Sequence, residues 1–356
     1  MGLLRGLAKH GISVQSLAAQ QPGYSDIAPP ADLRVEVMQP PDRNRWPARF
    51  ETLSRPCGTL SRGSFGARVA ELSASADVLY LDQVDAGWCD VNVQIPSVVN
   101  VHYLIRHDRT RLNLFSHDAA AIVVRRVGER AVARRHRFIV ANSPYVAGEL
   151  RRLAPRAEIE VVPLTLDPAH YNQATLSGPP TAVFIGTAAW RPTRTALRRL
   201  VTRVWPLVRK QVPTARLIVA GRGTDRIGLT LEDGVEVLGQ IDSAAEFFQQ
   251  ASVLLFPLDR GSGMKVKVLE ALASGVPVVT TRAGAEGFEE SDGLVILPDD
   301  NDKTFSEAAA AILKDDLERR QRGGAAHSLF IERYVPEIAT APLADLYERM
   351  VAGARG

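Results

Sequence analysis

The chain has 356 residues, 46% hydrophobic and 23% charged, with a mean hydropathy of -0.05, so it can bury the cores of two domains and is not a disordered or fibrous chain. A net charge of +3 and a pI near 8.9 are too mild to imply nucleic-acid binding, and Cys57 and Cys89 alone make neither a disulfide framework nor a zinc site. No apolar run approaches the roughly 18 residues that cross a bilayer, and the N-terminal MGLLRGLAKHG lacks a signal-peptide core, so the expectation is a soluble, cytoplasmic protein.

The first predicted element is a short helix carrying Leu3, Leu4, Leu7 and Ala8, closed by Lys9-His10-Gly11 and followed by a strand over residues 12–17. An α/β domain usually opens on a strand, so a first strand and its loop are expected to be missing here. Residues 21–65 are rich in proline and polar breakers and should form irregular connections around a strand near 33–38. Short apolar runs at 77–81, 98–102, 138–143 and 159–162 read as buried strands alternating with helices.

A polar linker occupies residues 168–180, and the rhythm then restarts. Strands are predicted at 181–185, 216–220, 235–238, 253–256, 276–280 and 294–297. Helices are predicted at 195–210, 244–250, 264–274, 305–314 and 342–351. The pattern predicts an α/β protein of two doubly wound, Rossmann-like domains: residues 1–170, residues 171–335, and a C-terminal helix within 336–356 that packs back on the first domain.

Strand 253–256 leads through Arg260-Gly261-Ser262-Gly263 into a helix. Strand, glycine loop and helix together present free backbone N–H groups at a helix N-terminus, which suits an anion. Lys267, Glu270 and Ser274 share one helix face, while Lys265, about 200° from Lys267, belongs to the first turn beside the loop amides. The plainer alternative is a solvated Lys267–Glu270 ion pair.

The stretch GSGMKVKVLEALASGVPVVTTRAGAEG resembles the donor-nucleotide motif of retaining glycosyltransferases of family 4, which have the GT-B fold of two domains facing across a cleft. FIGTAAWRPTRTAL, RLIVAGRG, VEVLGQI and VVPLTLDP resemble other segments of that family in the same order. The resemblance implies sugar transfer from a UDP- or GDP-sugar to an acceptor hydroxyl with retention, and no cofactor or metal. It places Glu270 on the ribose hydroxyls, Gly261, Ser262, Gly263, Met264 and Lys265 along the diphosphate and sugar, and Gly186 and Thr187 near the leaving phosphate.

There are departures. Ser262 stands where the family's first glutamate is usual, and Arg191-Pro192-Thr193 replaces a basic residue and asparagine. The chain resembles branches with a G-x-G-x-K loop, in which Lys265 and Lys267 would neutralise the departing diphosphate, with Arg191 and Arg222 as further donor-side candidates. In the first half, the resemblance implies that His102 helps hold the donor sugar or the reaction centre as a catalytic residue, the plainer alternative being a capped or solvated loop histidine. Asn142 and Ser143 are candidate acceptor contacts, Ser143 equally a helix N-cap, and Glu286 could accept from a nucleobase, sugar or acceptor hydroxyl.

Two patterns are discounted. Asp300-Asn301-Asp302 precedes a helix and is expected to cap it, and His102, His107, Asp108, His117 and Asp118 lack zinc-ligand spacing. The stretch from Arg125 to Arg137, with Ile122, Val123, Val127, Ala131 and Val132, makes a basic amphipathic helix. It suits either peripheral contact with an anionic inner-membrane face, and so a lipid-linked acceptor, or a solvated face, the reading that an acidic Glu129 favours. Glycan and small-molecule acceptors are the other possibilities. Rival functions are a nucleotide-sugar epimerase and a non-catalytic nucleotide-sugar-binding partner subunit.

Overall fold

A computed structural model describes residues 2–20, 32–41, 54–108, 119–228, 233–297 and 301–355. The chain divides into two compact units, one made mainly of Leu3–Pro163 with Ala339–Gly356, the other of Leu164–Ile338.

In the first unit the helix Gly2–Lys9 ends in a turn that sequence periodicity alone does not show. Gly11 has φ +76°, and Ile12 N–H donates back to the Leu7 carbonyl at 3.1 Å. Ile12 therefore closes the helix, as in a glycine-terminated C-cap, and the strand expected from residue 12 forms only at β1 (Ser16–Ala19). β1 pairs in parallel with β2 (Val35–Met38). A second parallel sheet runs in the order β3 (Leu79–Asp82), β4 (Ser97–Val101), β5 (Phe138–Ala141) and β6 (Glu158–Val161). Sequential neighbours in a parallel sheet require crossover connections, and the helices Ala119–Arg135 and Pro144–Leu153 supply two of them. Leu343, Leu346 and Met350 of the last helix share a core cluster with Leu7, Val98, Phe138, Val140 and Val162. That helix runs from Pro336 to Arg355 with Pro342 inside it, not from residue 342 as expected.

The second unit holds a six-stranded parallel sheet in the order β12 (Leu294–Leu297), β11 (Val278–Thr281), β10 (Val253–Phe256), β7 (Thr181–Ile185), β8 (Arg216–Ala220) and β9 (Val235–Gly239). β7, β8 and β10 are mostly apolar and buried, and β11 is buried too although Thr280 and Thr281 make up half of it, as suits strands covered on both faces. From β7 the chain builds outward to β8 and β9, returns to β10 on the other side, and continues to β11 and β12. The helix predicted over 195–210 is interrupted: α-helix Arg191–Arg199 passes through a π-turn, Leu200–Val204, into α-helix Trp205–Gln211. Buried Leu200, Val201, Val204 and Trp205 anchor that insertion.

Candidate functional site

Strand order reverses between β7 and β10, and in an open α/β sheet ligands bind outside the strand carboxyl ends at such a switch point. The two strands pair through Val253↔Ala182 and Leu254↔Val183, so the segments leaving them are neighbours.

After β7, Gly186 N–H donates to Ala220 O at 3.0 Å, and Gly221, at φ +122°, passes so close that a Cβ there would overlap the Gly186 carbonyl. Gly221 N–H donates in turn to Gly239 O at 2.6 Å. The ends of β7, β8 and β9 are thus backbone against backbone, a packing that side chains would prevent. A Cβ on Gly186 would meet Thr193 Cγ2 at 2.6 Å. The Thr187 hydroxyl accepts from Ala189 N–H at 3.4 Å, and Arg191 and Arg222 are both exposed, Arg191 as the first residue of its helix.

After β10, Gly261 (φ +130°) and Gly263 (φ +76°) shape the loop, and the Trp190 indole lies where a Gly261 Cβ would approach it to 3.1 Å. The helix begins at Val266, not Met264: Lys265 is its N-cap in extended conformation, its carbonyl accepting from Val268 and Leu269 N–H. The Lys265 side chain is buried and its ammonium donates to Gly263 O, clasping the loop. Ser262 is buried too, and Met264 Sδ accepts from Leu164 N–H at 3.2 Å. Lys267 Nζ donates to Glu270 Oε2 at 2.9 Å, so the expected ion pair exists, but Glu270 is only 7% exposed. The other Glu270 oxygen accepts from the Tyr171 hydroxyl at 3.5 Å. Burial and this carboxylate push the Tyr171 hydroxyl well above its ordinary range. Glu286, on the turn after β11, accepts from Gly263 N–H at 2.6 Å.

In the first unit His102 follows β4, and its Nε2 lies 2.7 Å from Asp82 Oδ1 at the end of β3. Asn100 Nδ2 donates to the same oxygen at 3.2 Å. Burial would raise the Asp82 carboxyl, but the His102 and Asn100 contacts outweigh it and hold it below the usual range. Asn142 donates to Val162 O at 3.0 Å, and Ser143 caps its helix by accepting from Val146 N–H at 3.2 Å.

Sequence reasoning missed Glu129. It is buried, accepts from Ile105 N–H, and lines a small open pocket with Cys57, Gln83, Asp85, Tyr103 and Arg125. Burial and nearby Asp108 push its carboxyl up to about 7. Glu129 thus does not belong to a solvated helix face, and polarity alone does not reveal an inward-facing acid. Arg125 pairs with Asp85 at 3.0 Å and Arg135 with Asp90, leaving Val123 and Val127 exposed beside exposed Arg130.

Asn301 caps its helix by accepting from Lys303 and Thr304 N–H, and Asp302 pairs with Arg199 and Arg203; Asp300, His117 and Asp118 lie outside the described residues. Among the described residues no three His, Cys, Asp or Glu side chains are grouped to hold a metal, and no helix is long and apolar enough to cross a membrane.

Two sequence-family models cover most of the chain: "Glycosyl transferase 4-like domain" matches residues 1–165 and "Glycosyl transferases group 1" matches residues 179–315. Both models describe glycosyltransferases, and the chain has the two Rossmann-like domains of the GT-B fold. Sucrose-phosphate synthase from Thermosynechococcus elongatus shares that fold with a TM-score of 0.75 at 18% identity, over 99% of this chain and 92% of the other. HepE of Anabaena, solved with UDP and glucose, has a TM-score of 0.63 at 14% identity, over 89% of this chain and 86% of its own. The phosphatidyl-myo-inositol mannosyltransferase of Mycobacterium leprae is 28% identical over 141 residues, which is 37% of each chain. The first curated relatives are matched over only 14% and 37% of their length. None of these likenesses favours an epimerase or a non-catalytic subunit.

Proposed function

We infer that the protein transfers a sugar from a nucleotide diphosphate sugar, UDP- or GDP-linked, to an acceptor hydroxyl, with retention and without a metal. The observation that carries this reading is the pairing of a glycine loop with buried Glu270 at the β7/β10 switch point. A carboxylate with two acceptor oxygens suits the vicinal hydroxyls of a ribose, and Lys267 and Tyr171 hold it in place. Breaking the anomeric bond leaves a diphosphate whose growing charge must be met as it forms. The amides opening the helix Val266–Ala273, with Lys265 and Lys267, stand at the loop that would meet it, and Arg191 and Arg222 are exposed on the neighbouring segments.

In the first unit His102, with Asp82 against its ring, helps hold the donor sugar or the reaction centre. The acceptor is a glycan, a small molecule or a lipid-linked hydroxyl. The mannosyltransferase relative, named for a phosphoinositide, supports a lipid-linked acceptor. The exposed Val123, Val127 and Arg130 suit peripheral contact with an anionic bilayer, although the basic face is smaller than its arginine count suggests.

The test is thermal unfolding with a panel of nucleotide sugars. A ligand of the native state raises the melting temperature by mass action, and Glu270→Ala should abolish the rise. If no nucleotide sugar stabilises the wild type, the reading fails. For the membrane contact, vesicles with and without anionic phospholipid should separate binding from non-binding in sedimentation, and equal recovery with both would remove it.

A further inference from the structure

The loop Arg260-Gly261-Ser262-Gly263 contains no acid, yet a carboxylate is held against it. Glu286 comes from the turn after β11, and its Oε1 accepts Gly263 N–H at 2.6 Å. That turn is fastened to the strand leading into the loop. Thr280 Oγ1 donates to Phe256 O at 2.7 Å, Thr281 Oγ1 donates to Leu258 O, and Ala285 N–H returns to Thr281 O at 2.9 Å. Gly284 permits the close approach, since a Cβ there would overlap the Thr280 hydroxyl. The backbone that carries Glu286 is therefore held by the fold.

One N–H cannot serve a carboxylate and a phosphate together, and two anions side by side repel. While Glu286 holds Gly263, the diphosphate must draw on the helix amides and the lysines, and whatever ligand group lies beside Glu286 must be an uncharged hydrogen-bond donor. In a nucleotide sugar those donors are the hydroxyls of the sugar and of the ribose and the N–H groups of the base; with the ribose assigned to Glu270, the sugar hydroxyls are the donors that set a nucleotide sugar apart from the bare diphosphate. Resting on the donor-site reading above, we propose that Glu286 accepts hydrogen bonds from the hydroxyls of the transferred sugar and is the residue that makes the site prefer a nucleotide sugar over the bare nucleotide diphosphate.

Calorimetric titration of the full chain with UDP, GDP, UDP-glucose and GDP-mannose tests this on wild type, Glu286→Gln and Glu286→Asp, with circular dichroism confirming the fold of each. Glutamine keeps an oxygen for Gly263 N–H, so the loop stays supported. The expected result is that Glu286→Gln binds the nucleotide diphosphate within about twofold of wild type and the nucleotide sugar at least about tenfold more weakly, a hydrogen bond to a charged group being lost. Glu286→Asp, one methylene shorter, should fall between and stands in if the glutamine variant does not fold. Equal losses for both ligands would make Glu286 a loop support, and tighter binding of the bare diphosphate would make it a competitor for the phosphate. Either overturns the proposal. If the wild type gives no heat with any of the four ligands, the donor-site reading itself fails, a result distinct from both.

Discussion

The two units place polar chemistry at their strand ends by opposite means. In the second unit the ends of β7, β8 and β9 are built from backbone: Gly186, Gly221 and Gly239 cross within contact distance, and Gly261 and Gly263 shape the next loop. In the first unit the corresponding region is built from side chains, with Asp82, Asn100 and His102 joined at β3 and β4 and Glu129 buried against Ile105 N–H. The backbone there is bent without glycine, since Gln83 (φ 71°) follows Asp82 directly and Cys57 (φ 66°) lines the same pocket as Gln83. Each such residue costs on the order of 1–3 kcal/mol, which the surrounding structure must offset. Amides can meet any phosphate, whatever sugar it carries. Titratable side chains select one partner at one protonation state.

The largest effect expected from that contrast is on stability. Gly221→Ala adds a Cβ that overlaps Gly186 O at φ +122°, and the variant should lose upward of ~3 kcal/mol. Gly148→Ala, inside the helix Pro144–Leu153 with open space around it, should gain about 0.5–1 kcal/mol. Urea unfolding of both gives the comparison, and a Gly221→Ala protein as stable as wild type would mean that the strand ends are not packed backbone to backbone.

The same contrast explains what could be read from the chain. Strands at 181–185, 216–220 and 253–256 fall where the apolar runs place them, because strands buried on both faces leave a nearly unbroken hydrophobic signature, and the edge strand 294–297 is apolar enough to be read the same way. The glycine loop is legible for a similar reason: one short segment carries its geometry. What was not legible is non-local. Asp82 and His102 are 20 residues apart, Glu270 and Tyr171 are 99 apart, and Gly263 and Glu286 are 23 apart, so no local pattern joins them. Ile12 closes a helix, and an apolar residue in that place has the same local signature as the start of a strand. Nothing in its neighbours marks Glu129 as inward-facing.

A smaller effect is expected at the Asp82–His102 contact, where the geometry should show in both rate and pH dependence. Asp82→Asn removes the carboxylate that orients His102, and slow nucleotide release from a nucleotide sugar should fall about tenfold. Because the folded state holds the Asp82 carboxyl below its ordinary range, its contribution to stability is full above about pH 4 and is lost as the pH falls further. The wild type should therefore lose stability on acidification more steeply than Asp82→Asn. A variant with wild-type turnover and the same acid limb would reduce Asp82 to a bystander.

Glu129 should give an effect of similar size and of opposite sign. Its carboxyl is raised to about 7 in the fold against an ordinary 4.5, so folding favours its protonated form. Below the ordinary value both states are protonated and the group costs nothing. As the pH climbs from about 4.5 through 7 the unfolded chain gives up its proton more readily, and the folded state loses stability until both are ionised. At about 1.4 kcal/mol per unit the upper limit is ~3 kcal/mol, and relaxation around a real buried acid should leave about 1–2. Glu129→Gln keeps an oxygen for Ile105 N–H and cannot ionise, so it should match wild type near pH 5 and exceed it at pH 8. Urea unfolding at those two values measures the crossing. Parallel curves would show Glu129 ionising in the fold as it does in water, and the pocket it lines with Gln83, Tyr103 and Arg125 would then hold a fixed charge where a proton-sharing group is expected.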